Sequence, residues 1–141
     1  GIHRQRQIEI AVQLFEAMGI ARHDAEKRQD WVMRGFRQFD APVSVAMTYD
    51  KCLEPATISH FDLGAVTYGL VLAAWSKGLG TVINGQGIMQ SAVVREHAQI
   101  PDDQIIMICI AMGYPNDDFA ANDVVSRRAP NDDFVRYVGF D

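Results

Sequence analysis

Residues 84–87, Asn-Gly-Gln-Gly, are the stretch of this chain best suited to chemistry. Glycine has no side chain to hold a ligand away, so Gly85 and Gly87 would let a planar, electron-rich group approach bare backbone N–H donors. The same pattern also suits a plain helix-to-strand connection, and the residues alone leave both readings open. The usual carriers of acid–base and metal chemistry are dispersed. His3, His23, His60 and His97 are far apart in the chain, and Cys52 and Cys109 belong to no metal-type spacing. Surface or capping roles are expected for the histidines, with no catalytic residue and no metal site.

The loop has to be positioned by what precedes it. From Leu63 to Lys77 almost every residue is apolar, so a helix buried on most sides is expected, capped by Asp62 or by Ser59 one turn earlier. Gly64 and Gly69 each cost such a helix about 1 kcal/mol against alanine, which predicts close approach of another backbone or ligand. Gly78 sits where a left-handed C-cap belongs, and Gly80 permits a second turn into the β-favouring Thr81-Val82-Ile83.

Other elements frame this unit. Ile8, Ala11, Val12, Phe15 and Met18 recur at helical spacing, and Gly19 ends that helix. Arg4 and Arg6 in its first turns oppose the helix dipole, so they make sense if the helix starts upstream or if they meet a partner. Asp24 is placed to cap a second helix through Trp31, Val32 and Phe36, broken at Phe39-Asp40-Ala41-Pro42. Pro42 to Tyr49 alternates large with small residues, as in a strand against which a helix packs closely on the small side. Ser91 is placed to cap a short helix through His97, and the eight apolar residues from Ile105 to Met112 predict a central strand. Beyond Pro115 an extended arm leads to the β-capable segment Phe134–Phe140, suited to pairing with a neighbouring sheet or subunit. The order is mixed α and β, with helices against one sheet.

At 141 residues the chain suffices for one domain, expected to span 1–141 with residues 115–141 as arm and strand. A net charge of −5 gives no basic field for nucleic acid, and no uncharged apolar run of 18 residues suits a membrane span. The cysteine usage fits a reduced, cytoplasmic protein.

Asp62-Leu-Gly64, Ala73-Ala74, Gly78-Leu-Gly80, Ile100-Pro101-Asp102, Ala111-Met-Gly-Tyr-Pro115, Ser126-Arg-Arg128 and Val138-Gly-Phe140 together, in order and spacing, resemble the flavin-dependent nitroreductase family. The resemblance implies an α+β fold with a central mixed sheet flanked by helices, and a C-terminal arm and strand exchanged in a homodimer. It implies FMN as cofactor, NAD(P)H as co-substrate, and ping-pong hydride transfer to a nitroaromatic, quinone or related small-molecule acceptor. The family's loop after the Gly-Leu-Gly turn directs backbone N–H groups to the flavin, which falls here on Gly85 and Gln86, flanked by Asn84 and Gly87. Its basic arm residues, which contact the FMN phosphate, fall on Arg128 and then Arg127, with Ser126 where some members carry lysine. The family's N-terminal Arg-Ser-x-Arg segment has no counterpart in these residues, so the chain resembles the C-terminal part of a nitroreductase and is expected to be truncated. An inactive dimerising fragment, or a same-fold flavoprotein with dehalogenating or flavin-cleaving chemistry, is the alternative.

Overall fold

In a computed structural model, residues 1–140 are described. The chain divides into two compact units, one of residues 1–24 with the stretch from Asp117 onward, the other of Ala25–Asn116.

The first unit is built on α1, Ile2–Ala17. Its end matches the expected stop: Gly19 has φ +63°, and the Ile20 N–H reaches back to the Phe15 carbonyl at 2.8 Å, a left-handed C-terminal cap. The arm contributes two short 3-10 turns, Ala120–Asp123 and Asn131–Asp133. Residues 135–140 form no strand in the single chain, because a strand exists only as one side of a ladder and no ladder partner for them lies among the described residues. The Tyr137 and Phe140 rings instead meet edge to face, with centroids 6.1 Å apart.

The second unit holds a three-stranded sheet in the order β1 (Val43–Asp50), β3 (Gln104–Gly113), β2 (Gly80–Asn84). Both pairings are antiparallel, and the described residues hold no parallel pair of the mixed sheet that the resemblance implies. The apolar run of β3 is central, and Cys109, Ile110 and Ala111 are its buried heart. Between Met47 and Thr48 the β1 register slips past Met107, a bulge that leaves Met107 exposed.

Helix α2 spans Ala25–Phe36, α3 spans Thr57–Trp75, and α4 spans Ser91–His97. The structure differs from expectation at all three cap positions discussed for α3 and α4. α3 starts at Thr57, so Asp62 lies inside it, and the Ser59 hydroxyl donates back to the Leu53 carbonyl at 3.1 Å rather than capping. Ser91 is the first residue of α4 and makes no side-chain cap bond there. The C-terminus of α3 behaves as its sequence requires: Gly78 takes φ +75°, and the Leu79 N–H bonds to the Ala74 carbonyl at 3.0 Å.

The larger correction concerns burial. α3 was expected to be enclosed, yet Phe61, Val66, Leu72 and Trp75 are exposed, and a Cβ at Gly64 or Gly69 would meet nothing within 4 Å. An apolar helix surface states a need for cover, and the single chain covers only the stripe that includes Ser59, Thr67 and Ala74.

Candidate functional site

The loop after β2 is fastened by amide side chains. Asn84, 4% exposed, ends β2 and is turned inward. Its Nδ2 donates to the Gly35 carbonyl at 2.7 Å and to Gln38 Oε1 at 3.0 Å, while its Oδ1 accepts the Gln86 N–H at 3.1 Å. One buried amide therefore ties the end of α2, the turn after it, and the loop together, and all its partners are satisfied. The Gln86 side chain adds a longer bond from Nε2 to the Val32 carbonyl, 3.4 Å.

Two glycines make this contact possible. A Cβ at Gly35 would stand 1.9 Å from Gln86 Oε1, and one at Gly87 would stand 2.0 Å from Gln38 Nε2. Gly87 thus serves close packing against Gln38, and Gly85 is the exposed glycine of the loop. Of the four loop residues expected to face a ligand, Asn84 and Gly87 are buried and the Gln86 N–H is already bonded. Gly85 is left as the residue that offers open backbone.

The turn that receives Asn84 is itself unusual. Gln38, Phe39 and Asp40 have φ of +55°, +56° and +57°, three consecutive left-handed residues without a glycine among them. Each costs on the order of 1 kcal/mol or more. The Asn84–Gln38 bond and an Arg37 Nε to Asp40 Oδ1 pair at 3.0 Å hold the turn. Pro42 follows after Ala41, with its ring against Gly113.

Next to the loop lies a cavity of about 810 Å³ whose walls include Met33, Gln86, Val94 and His97. Its floor includes Ser44, Ala46 and Cys109, so the small side of β1 borders a cavity here where its alternation predicts a closely packed helix. Burial pushes the Cys109 thiol up from its ordinary range, against smaller opposing effects of hydrogen bonds to the Ile110 backbone and the Gln38 side chain.

In the first unit, Arg127 and Arg128 are exposed and line a second cavity, about 530 Å³, shared with Arg6, Gln7 and Gln13 of α1. Arg128 Nη1 donates to the Ser126 hydroxyl. The loop and the arm arginines lie in different units. Sequence reasoning missed Gln38, Gly35 and the inward role of Asn84, and it placed no ligand contact on Arg6, although the adverse position of Arg6 in α1 was a signal. Among the described residues there is no cluster of histidine, cysteine and acidic side chains that could hold a metal, and no helix long and apolar enough to cross a membrane.

The sequence model of the nitroreductase family matches residues 4–114. A chloronitrobenzene nitroreductase from Comamonas testosteroni is 34% identical over 126 residues, covering 89% of this chain and 55% of that protein. A nitrobenzene nitroreductase from Ectopseudomonas oleovorans is 33% identical with the same coverage. Among solved structures, the FMN and NADPH-dependent nitroreductase NfnB from Sphigopyxis sp. strain HMH superposes with TM-score 0.89 at 24% identity, covering 97% of this chain and 60% of that one. The FMN-dependent NfnB from Mycobacterium smegmatis, solved in complex with NADPH, gives TM-score 0.85 at 22% identity, covering 98% and 61%. The chain thus has the fold of these proteins and spans about half the length of the curated relatives it matches.

Proposed function

This chain belongs to the nitroreductase family, and from that premise we propose that it serves an FMN-dependent NAD(P)H oxidoreductase acting on nitroaromatic, quinone or related small-molecule acceptors. The observation that carries the reading is the loop at residues 84–88: an exposed glycine, Gly85, on a backbone held in place by the buried Asn84. Fixed donors of this kind stabilise charge that develops on a bound group, because they need no reorganisation when it appears.

The residues fit FMN in two respects. Gly85 has open space where a Cβ would be, its nearest neighbour being Ile108 Cδ1 at 4.0 Å, and Arg127 and Arg128 offer guanidinium forks of the kind that hold a phosphate. FMN, when bound, would supply the two-electron hydride chemistry, and the protein orientation and electrostatics. Asn84, Gln86 and Gly87 shape the loop, and Gly85 presents it. No acid or base in the chain is assigned a catalytic role.

A homodimer accompanies this reading. The exposed apolar face of α3, with Gly64 and Gly69 open on it, and the exposed Phe134, Tyr137, Val138 and Phe140 need cover that a second copy would provide. Exchange of the 134–140 segment would give it the ladder partner it lacks in one chain. The two free cysteines suit a cytoplasmic setting.

The test is to mix the purified chain with FMN, dialyse, record the visible spectrum, and then follow NADPH and NADH oxidation with nitrobenzene as acceptor. A retained flavin band with acceptor-dependent oxidation and parallel double-reciprocal lines is expected. A retained flavin that neither nucleotide reduces would remove the assigned reaction, and a colourless protein would remove the cofactor.

A further inference from the structure

We propose, resting on the reading of residues 84–88 as the flavin side of the site, that Gln38 is a positioning residue for that loop. Acting through Asn84, it sets which backbone N–H the loop offers to a bound flavin. The hydrogen bonds run in one direction. Asn84 Nδ2 carries two hydrogens, which go to the Gly35 carbonyl at 2.7 Å and to Gln38 Oε1 at 3.0 Å. Asn84 Oδ1 is thereby left facing the Gln86 N–H, which it accepts at 3.1 Å. Turning the Asn84 amide over would set its oxygen against two oxygens and its NH2 group against an N–H. Turning the Gln38 amide over would set one NH2 group against another. With both amides fixed, the Gln86 N–H is held inward and the exposed Gly85 is what the loop presents.

The backbone of Gln38 is itself strained, with φ +55° in a run of three left-handed residues without glycine. Strain of this kind persists only where the surroundings over-determine it, and it clusters at active sites and ligand clamps. Here the turn aims a half-buried amide at a residue 46 positions later in the chain. The far end of the same amide is enclosed as well. Gln38 Nε2 stands 2.0 Å from where a Cβ of Gly87 would be, and the side chain also hydrogen-bonds the Cys109 thiol. An amide seated at both ends transmits its orientation to the group it holds, which is Asn84, and Asn84 holds the loop.

Two variants separate this role from a purely structural one. Gln38→Asn keeps a residue that tolerates the left-handed region, so the turn survives, but its amide is one methylene shorter and falls short of Asn84. Gln38→Glu keeps the length and the accepting oxygen. Amide hydrogen exchange followed by NMR in the chain without cofactor should show the Gln86 N–H exchanging about tenfold faster in Gln38→Asn, with Ile110 in the sheet core unchanged. Gln38→Glu should restore the protection. In the FMN-loaded chain, Gln38→Asn should favour reduced over oxidised flavin about tenfold less than the native protein, a midpoint potential about 30 mV more negative. An unchanged Gln86 exchange rate in Gln38→Asn would overturn the proposal. So would a rise shared equally by Ile110, which marks a general loss of stability, or faster exchange with the flavin potential unmoved. A chain that takes up no FMN fails the cofactor reading instead, and the exchange comparison then upholds or overturns the role of Gln38 by itself.

Discussion

The loop at residues 84–88 in the second unit and the arginine cavity of the first unit are built by opposite means. The loop is held by a nearly inaccessible asparagine with bonds to three different residues, and packed so closely that two glycines are required. The arginines are exposed, and the side chains of Arg6 and Arg127 make no hydrogen bond or ion pair among the described residues. A backbone dipole stabilises charge only where it already points, so it needs a rigid mount. A guanidinium on a long side chain finds an anion by itself. The loop should therefore resist change at the cost of stability, whereas the arm should lose affinity without loss of stability.

The sharpest way to break that contrast is Asn84→Ala. It leaves the Gly35 carbonyl, Gln38 Oε1 and the Gln86 N–H without their partner, and a loss of about 3 kcal/mol is expected in denaturant unfolding. A loss below about 1 kcal/mol would show that the loop is not fastened this way. Arg128→Ala should weaken FMN binding by about 2 kcal/mol in a flavin titration and leave the unfolding midpoint unmoved. Gly87→Ala should cost about 1 kcal/mol, because the Gln38 amide can swing away from the new methyl group but then abandons Asn84. The smallest effect concerns pH. Because burial raises the Cys109 pKa in the folded state, its thiol contributes stability that is intact below the ordinary thiol pKa and lost as pH rises through the raised one. Urea unfolding between neutral and alkaline pH should show a falling slope that flattens in Cys109→Ala.

Much of this was legible residue by residue. The apolar run of β3, the left-handed glycines at 19 and 78, and the small side of β1 are local signals, and each is written within a few neighbouring residues. The position of the loop was legible for the same reason. Its internal economy was not, since Asn84 bonds to residues 46 and 49 positions earlier, and nothing in Asn-Gly-Gln-Gly says which N–H groups are already taken. The left-handed turn at Gln38–Asp40 escaped notice because no glycine marks it; the bonds from Asn84 and Arg37 hold a conformation that local sequence disfavours. The exposure of α3 was hidden for another reason. Composition shows that a surface must be covered without showing which molecule covers it.

The bulge at Met107 determines which changes of length the sheet can tolerate. Met47 pairs with Ile108 and Thr48 with Ile106, so removing Met107 would leave every other pair in place and yield a regular ladder. A deletion at Ile110 or beyond would shift the residues between it and the bulge by one position and turn Cys109 from the cavity floor. Across insertions and deletions in β3, Met107 is the spare residue of the register.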